Sequence, residues 1–336
     1  IWKCVYSIFE NRFCPDMPQK NEKKLLESFG KELSSLITSP SEEKIMRCAL
    51  EFIMSILRTN FYQPWKKSVV FRLDTGMLSS KMPSETPYGI FFIKSAVFFG
   101  FHVRFKDIAR GGIRIVRSST PEEYSANADN AFEECYNLSF TQNRKNKDIP
   151  EGGAKGVIVM NCDPRSTLST ESAFKRYMCG MLDMMLPANR KIIRNFEEEI
   201  IFFGPDEGTA EYMDWACSHS RTLGYKYWKS ITTGKSSTVG GISHIDYGMT
   251  TASVHQYVLG ILRKLGIDET CITKAQTGGP DGDLGSNEIL ISKDKTISII
   301  DKGGVLYDPA GLDRNELRRL ATERLDSSHF NASKLS

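Results

Sequence analysis

The sequence predicts an α/β protein with two domains behind a helical N-terminal segment. Its 336 residues are enough for about two domains. After residue 65, strand-like apolar runs alternate with helix-like patterns, which is typical of an α/β fold. A glycine-rich turn near residue 280, between a predicted strand and a predicted helix, indicates the first part of a Rossmann-like domain. We expect the three parts to cover residues 1–65, 66–240 and 241–336.

The composition argues against several classes of protein. The chain is 40% hydrophobic and 25% charged with a net charge of only +3, so no nucleic-acid partner is expected. No apolar stretch reaches the roughly 18 residues of a membrane span, so no membrane partner is expected. The eight cysteines are scattered without metal-binding spacing, which predicts free thiols, no metal site and a reducing compartment. We expect the cytoplasm, and the mitochondrion stays open.

The first 65 residues are predicted to be helical. One apolar stripe at helical spacing runs from Leu25 to Ile37. A second predicted helix carries Ile45, Met46, Ala49, Phe52, Ile53, Ile56 and Leu57. Both stripes indicate packing between helices, and we assign no chemistry to them.

The next elements alternate as an α/β fold requires. In the first domain, strands are predicted at 69–71, 101–105, 157–160 and 200–203, with a helix at 171–186. In the second domain, a helix is predicted from 250 towards 264 and another at 284–292, with strands at 271–276 and 296–300. The candidate chemical residues fall at strand ends or in loops, where α/β folds usually place their sites.

A lysine within a run of glycines is the main candidate for chemistry. Residues 148–156 read DIPEGGAKG, and we predict that the glycines form a turn before the strand at 157–160. Lys155 would then present its amine in a cleft, where it could polarise a carbonyl group or activate water. The alternative is an ordinary exposed loop lysine.

Other charged residues could join Lys155. Arg110 precedes two glycines, Gly111 and Gly112, and Lys145 lies ten residues before Lys155. Three cations converging in one cleft would bind a dicarboxylate through charge-assisted hydrogen bonds. Asp206, at the end of the strand predicted at 200–203, could exchange a proton with the lysine. The alternative for Asp206 is a helix N-cap.

The nucleotide signal is the turn TGGPDGDLGSNEIL. Glycines at 279, 282 and 285 would let the backbone approach a pyrophosphate at the N-terminus of a helix. Asp301 ends the next predicted strand, where a carboxylate accepts from the ribose hydroxyls of NAD and repels the phosphate of NADP. The alternative is a glycine-rich connecting loop. Because the chain starts at Ile1 and ends soon after this unit, we expect an incomplete Rossmann-like domain in a segment of a longer protein.

Six segments in a fixed order carry a resemblance to a known family. Together they resemble the large NAD-specific glutamate dehydrogenases of the fungal and protist type, within the amino-acid dehydrogenase superfamily. The resemblance runs from about residue 45 to residue 320. The segments are TNFYQPWKKSVVFRLD (59–74), GFHVRFKDIARGGIR (100–114), FTQNRKNKDIPEGGAKG (140–156), FFGPDEGTAEYMDWA (202–216), GGISHIDYGMTT (240–251) and QTGGPDGDLGSNEIL (276–290).

The resemblance implies a role for each candidate residue. Lys155 and Asp206 resemble the catalytic lysine and aspartate of the family. Lys145 resembles the lysine that holds the substrate α-carboxylate. Arg110, followed by Gly111 and Gly112, resembles the anchor of the side-chain carboxylate, where small glutamate dehydrogenases usually have lysine. Thr250, or equally Thr251, resembles the hydroxyl near the nicotinamide.

The resemblance also implies a fold and a reaction. We expect the two-domain amino-acid dehydrogenase fold, with 66–240 as the substrate domain, 241–336 as the first part of the NAD-binding domain and the site in the cleft between them. The implied reaction is oxidative deamination of L-glutamate to 2-oxoglutarate and ammonia with NAD as cofactor, and a homo-oligomer is expected. Two alternatives stay open. One is a dehydrogenase of an apolar amino acid, and the other is a non-catalytic binding or regulatory segment.

Overall fold

The computed structural model describes residues 1–78, 85–147, 149–161, 169–206, 208–244 and 246–336. The chain divides into two compact units, residues 1–241 and residues 242–336. Each unit combines a β-sheet with helices, which confirms the predicted α/β class. Within the described ranges, the seven cysteines are free thiols. None of the helices in these ranges is long and apolar enough to cross a membrane.

Three helices open the first unit and pack against one another. They are α1 (Trp2–Phe13), α2 (Glu22–Leu36) and α3 (Pro40–Ser55). Val5 and Ile8 of α1 meet Phe29 and Leu33 of α2 in one buried cluster, as the predicted stripes indicate. The prediction that the third helix continues through Leu57 is wrong. Residues from Ile56 onward pair with a neighbouring strand instead.

A seven-stranded mixed sheet forms the centre of this unit. Its strands are β1 (Ile56–Thr59), β2 (Val69–Leu73), β3 (Gly89–Lys94), β4 (Phe98–Arg104), β5 (Ala109–Val116), β6 (Gly152–Met160) and β7 (Phe202–Gly204). The spatial order is β1-β2-β3-β4-β6-β5-β7. The pairs from β1 to β4 and the pair β4–β6 are antiparallel, whereas β5 runs parallel to both β6 and β7.

Helices cover both faces of the sheet. Helix α4 (Pro121–Asn143) connects β5 to β6, and α5 (Thr170–Met185) and α6 (Met213–Thr222) follow. Residues alternate between the faces along β6, as expected for a strand buried on both sides. Ile158 joins the cluster formed with α5 and α6, whereas Val157 and Val159 join the cluster formed with α4.

The glycine run before Lys155 is part of β6, so the predicted turn at this position is wrong. Glycine is disfavoured in strands unless another backbone approaches closely. A side-chain carbon on Gly153 would lie 2.1 Å from the backbone nitrogen of Asn143 in α4. A side-chain carbon on Gly111 in β5 would lie 1.5 Å from the carbonyl oxygen of Ala154. The glycines therefore let α4 and β5 lie close to the strand that carries Lys155.

The second unit is built on a three-stranded sheet. Its elements in chain order are α7 (Met249–Leu265), β8 (Thr273–Thr277), α8 (Asp283–Ile291), β9 (Lys295–Asp301), β10 (Gly304–Tyr307) and α9 (Arg314–Glu323). Strand β9 lies between β8, to which it is parallel, and β10, to which it is antiparallel. The predicted strand–turn–helix–strand unit is confirmed in β8, α8 and β9. Buried Ile289, Ile299, Leu317 and Leu320 join α8, β9 and α9 in one core.

Candidate active site

Lys155 and Asp206 form an ion pair in the first unit. The Lys155 ammonium contacts Oδ2 of Asp206, and the two side chains are 18% and 22% exposed. Both groups are therefore mostly desolvated yet still reachable from solvent. A carboxylate held against an amine in this way can accept its proton and return it.

The main chain of Lys155 is fixed by the sheet. Because β6 lies between β4 and β5, Lys155 has strand neighbours on both sides, and Val103 is its partner in β4. Cys135 of α4 adds a hydrogen bond of 3.3 Å from its thiol to the carbonyl oxygen of Lys155. A residue in the interior of a buried strand is held more precisely than one in a loop.

Asp206 follows the end of β7 and is held by a buried threonine. The Asp206 backbone nitrogen donates to Oγ1 of Thr209 at 2.8 Å. The same hydroxyl lies 3.2 Å from the carbonyl oxygen of Ile113 in β5. The helix N-cap alternative for Asp206 is wrong, because Thr209 and Tyr212 occupy the cap positions of the next two helical segments. Sequence reasoning missed Thr209.

Strand β5 connects Asp206 to Arg110. A side-chain carbon on Gly112 would lie 3.1 Å from Oδ2 of Asp206, so the bare glycine makes room for the carboxylate. Arg110 precedes Gly112 by two residues, which places both on the same side of the strand about 7 Å apart. The Lys155–Asp206 pair and Arg110 therefore belong to one face of this sheet.

A second ion-pair cluster surrounds Arg110. Nε and Nη2 of Arg110 donate to Oε1 of Glu151 at 3.1 and 2.8 Å. The Lys147 ammonium lies 3.1 Å from the same oxygen. Lys145 is exposed, and no residue in the described ranges forms an ion pair with it. Three converging cations were predicted, but Arg110 and Lys155 instead each have a carboxylate partner. Sequence reasoning missed Glu151 and Lys147.

A buried glutamate anchors the segment that leads to β7 and Asp206. Glu199 accepts from Arg58, from Nε of Arg72 at 2.9 Å and from Nη1 of Arg104 at 3.5 Å. Arg104 also donates to the carbonyl oxygen of Ile200 at 2.9 Å. Burial lowers the pKa of Arg104, while the Glu199 carboxylate opposes that shift. These arginines lie on β1, β2 and β4, which are separated from β7 by β6 and β5 in the sheet order. The cluster therefore connects the segment before β7 to strands that are not its neighbours in the sheet.

In the second unit, the glycine turn and Asp301 lie side by side. A side-chain carbon on Gly279 would fall 2.0 Å from Oδ2 of Asp301. Gly282 is the N-cap residue of α8, and Gly285 lies against the carbonyl oxygen of Gly279. The carboxylate of Asp301 is oriented by the backbone nitrogen and hydroxyl of Ser327, at 2.9 and 2.5 Å. The Asp301 carboxylate therefore lies against one side of the glycine turn.

Thr250 and Thr251 are the other candidates of the second unit, and Lys302 follows Asp301 in the sequence. Lys302 is 71% exposed and pairs with Asp281 of the turn at 2.9 Å. Thr251 is buried near the start of α7 and donates to the carbonyl oxygen of Leu284 in α8 at 3.2 Å. Thr250 is exposed. Thr251, rather than Thr250, is therefore in contact with the helix that follows the glycine turn.

Comparison with known proteins places the chain in a family. The family described as bacterial NAD-glutamate dehydrogenase, catalytic domain, matches residues 30–333. The chain belongs to this family, as the resemblance predicted.

Curated relatives extend the match over nearly the whole chain. Glutamate dehydrogenase 2 of Dictyostelium discoideum is 49% identical over 99% of this chain and 32% of its own length. The NAD-specific glutamate dehydrogenase of Neurospora crassa is 48% identical over 96% of this chain and 31% of its own length. The chain thus spans about a third of the length of the curated relatives it matches. A solved glutamate dehydrogenase structure is 18% identical over 98% of this chain and 65% of its own, with a TM-score of 0.48.

Proposed function

We propose that this chain carries the catalytic residues of an NAD-dependent enzyme that converts L-glutamate to 2-oxoglutarate and ammonia. The observation that carries the proposal is the Lys155–Asp206 ion pair on the same face of the sheet as Arg110. The names of the relatives, NAD-specific glutamate dehydrogenases, support the same reaction.

In the proposed mechanism, Lys155 and Asp206 handle protons and developing charge. Oxidation of the amino group gives an imine, which water then attacks at Cα. The Lys155 ammonium stabilises the negative charge that develops during this attack. Asp206 carries the proton to and from the departing amine, and its contact with Lys155 Nζ lets the two groups exchange a proton.

Arg110 is the proposed anchor for the distal carboxylate of the substrate. Its guanidinium uses one edge for Glu151, and Nη1 has no hydrogen-bond acceptor among the described residues. That free edge can grip a carboxylate with two parallel N–H groups. An apolar side chain would instead cover the Nη1 edge without offering it a hydrogen-bond acceptor.

The glycine turn of the second unit fits a dinucleotide. Gly282, the N-cap residue of α8, has open space where a side chain would stand, with no neighbouring atom closer than 3.6 Å, and a helix N-terminus of this kind favours a pyrophosphate. Asp301 adjoins this turn, where it would accept hydrogen bonds from a ribose. When bound, NAD supplies the acceptor for the hydride that leaves Cα of the substrate.

Arg110→Met tests the substrate assignment. We expect kcat/KM for glutamate to fall about 10- to 100-fold more than kcat/KM for norvaline, because a charge-assisted hydrogen bond contributes on the order of 1.5–3 kcal/mol. The measurement is NADH formation by the full-length enzyme with each amino acid.

Arg114→Met is the matched control. Arg114 lies on the same strand, is half exposed and pairs with Glu134 at 2.9 Å. Its removal should leave the glutamate-to-norvaline ratio unchanged. An unchanged ratio in Arg110→Met would remove Arg110 from the substrate pocket, and a wild type that oxidises norvaline better than glutamate would overturn the proposed function.

Asp301→Ser tests the cofactor assignment. We expect wild type to prefer NAD, and the substitution to shift the ratio of kcat/KM for NAD over NADP towards NADP. The reason is that a carboxylate accepts from ribose hydroxyls but repels a 2′-phosphate. Lys302 could oppose this repulsion, but its contact in the structure is with Asp281. The ratio is measured with saturating glutamate.

Ser327→Ala provides a second arm of the same test. It removes the hydroxyl that orients Asp301 but keeps the carboxylate. We expect a shift in the same direction as Asp301→Ser and smaller in size. If wild type uses both cofactors equally, or if Asp301→Ser leaves the ratio unchanged, Asp301 does not contact the ribose.

We also propose a homo-oligomer in a reducing compartment such as the cytoplasm. The first unit exposes an apolar cavity of about 320 Å³ against one face of its sheet, lined by Phe52, Leu73, Met77, Leu78, Ile90, Phe92, Phe101 and Phe132. An exposed apolar cavity of this kind is typical of surfaces that another chain covers. The free thiols of the described cysteines favour reducing conditions.

A further inference from the structure

Glu151 is a buried carboxylate shared by two cations. Its side chain is only 7% exposed, and it lies immediately before β6, the strand that carries Lys155. A single oxygen, Oε1, accepts from Arg110 and from Lys147. A buried carboxylate costs several kcal/mol in desolvation unless it is paired, so this cluster requires at least one of its cations.

Glu151 orients the Arg110 guanidinium without occupying all of its N–H groups. Both contacts with Glu151 use the Nε–Nη2 edge of the guanidinium, which fixes the plane of the group. Nη1 is not hydrogen-bonded to any residue in the described ranges, and the side chain is 38% exposed. The planar fork of arginine is therefore held by one edge, which leaves its Nη1 group available to a carboxylate.

Lys147 gives the cluster a surplus positive charge. It is 13% exposed, and its ammonium also donates to the carbonyl oxygen of Gly152 at 3.3 Å. Among the described residues, the two cations and one carboxylate of this cluster carry a net charge of +1 in a partly desolvated place. Lys145 has neither the burial nor a charged partner in the described part of the chain. Of the two lysines in this loop, Lys147 is the one at Arg110.

We propose that Glu151 positions Arg110 and Lys147 as a two-cation anchor for the distal carboxylate of the substrate. This inference rests on the proposed function, because it assumes a dicarboxylate substrate. The distal carboxylate adds the second negative charge and brings the cluster to neutrality. Glu151 does not touch the substrate and is a positioning residue. Lys147 makes the binding contact together with the free edge of Arg110.

The first test compares Lys147→Met with Lys145→Met in the full-length enzyme. Lys147→Met should lower kcat/KM for glutamate at least about tenfold more than for norvaline, mainly by raising KM, since tenfold corresponds to about 1.4 kcal/mol. Lys145→Met should lower kcat/KM for glutamate and for norvaline by the same factor, because Lys145 is predicted to hold the α-carboxylate that both amino acids share. Arg144→Met removes an exposed cation from the same loop and should leave the ratio as in wild type.

The second test separates positioning from simple charge balance. If Glu151 only offsets positive charge, Glu151→Gln adds net positive charge and should strengthen glutamate binding. If it orients the guanidinium, the same substitution should raise KM for glutamate about tenfold, with kcat reduced much less. Lys147→Arg keeps the charge and should restore most of the glutamate preference that Lys147→Met loses. Melting temperatures confirm that each variant folds.

The outcomes distinguish this inference from the proposed function. If wild type oxidises glutamate but Lys147→Met leaves the glutamate-to-norvaline ratio unchanged, the two-cation anchor is wrong and the proposed function stands. The same holds if Lys145→Met changes the ratio instead, or if Glu151→Gln lowers KM for glutamate. If Lys147→Met does not fold, Glu151→Gln decides the question: a lower KM for glutamate overturns the proposal, and a KM raised about tenfold with kcat reduced much less supports it. A wild type without glutamate oxidation refutes the proposed function itself.

Discussion

Lys155→Ala is expected to lower kcat by about 10²–10⁴-fold, the usual contribution of an acid–base group. The substitution removes the amine that contacts Asp206 while leaving the interior of β6 intact. Binding of the dinucleotide should stay near wild type, because the glycine turn lies in the second unit. Steady-state NADH formation gives kcat, and titration of NADH fluorescence gives the cofactor affinity.

Two results would argue against this role for Lys155. A full-length Lys155→Ala enzyme that keeps more than about a tenth of wild-type turnover would show that the lysine does no acid–base work. A parallel loss of cofactor affinity and melting temperature would indicate a structural role instead. Lys155→Arg is the companion variant. It keeps a cation on β6, but its guanidinium cannot release a proton at neutral pH, so its turnover should also stay low.

Asp206→Asn should lower turnover by a similar factor with the fold retained. An amide keeps the size of the side chain, and the backbone bond from residue 206 to Thr209 is independent of the side chain. An amide cannot accept and return a proton, so the chemical step should slow. The loss of a partly exposed ion pair costs roughly 0–1 kcal/mol of stability. The measurement pairs kcat with the melting temperature.

The contrast between rate and stability decides the role of Asp206. Near-normal turnover with a large fall in melting temperature would mean that the carboxylate only holds the loop after β7. Low turnover with a melting temperature close to that of wild type supports proton transfer. Thr209→Ala is a useful comparison, because it loosens the main chain of Asp206 without removing the carboxylate.

Sequence periodicity predicted the larger part of the elements, whereas β1, β3, β5, β10, α4 and α9 were not predicted. It also failed where tertiary contacts override local preference. Ile56 and Leu57 continue an apolar helical stripe, yet they belong to β1, where Ile56 pairs with Leu73 of β2 and the register shifts before Arg58. The glycines before Lys155 have low strand propensity, and only the approach of α4 and β5 explains why they lie in β6. Such approaches join residues far apart in sequence and leave no local pattern.

The candidate site was predicted unevenly for a similar reason. The motifs and the family resemblance indicated Lys155 and Asp206, which the structure places in contact. Glu151 stood within a quoted motif, but its pairing with Arg110 spans 41 positions and has no periodic signal. Thr209 was missed because a single buried hydroxyl looks like any other threonine in a sequence. The assigned roles of these residues stay predictions until the variants are measured.

The close fit between β6 and its neighbours has a consequence for natural variation in this protein. Alanine at Gly153 or Gly111 would press a methyl group into the backbone of α4 or β6, so the strand would have to move. Such a variant would displace the Lys155 amine from Asp206 although no reacting atom is altered. A survey of variants that scored only loss of turnover would then count these glycines among the catalytic residues. Measuring folding and turnover together would separate alleles that misplace the lysine from alleles that remove it.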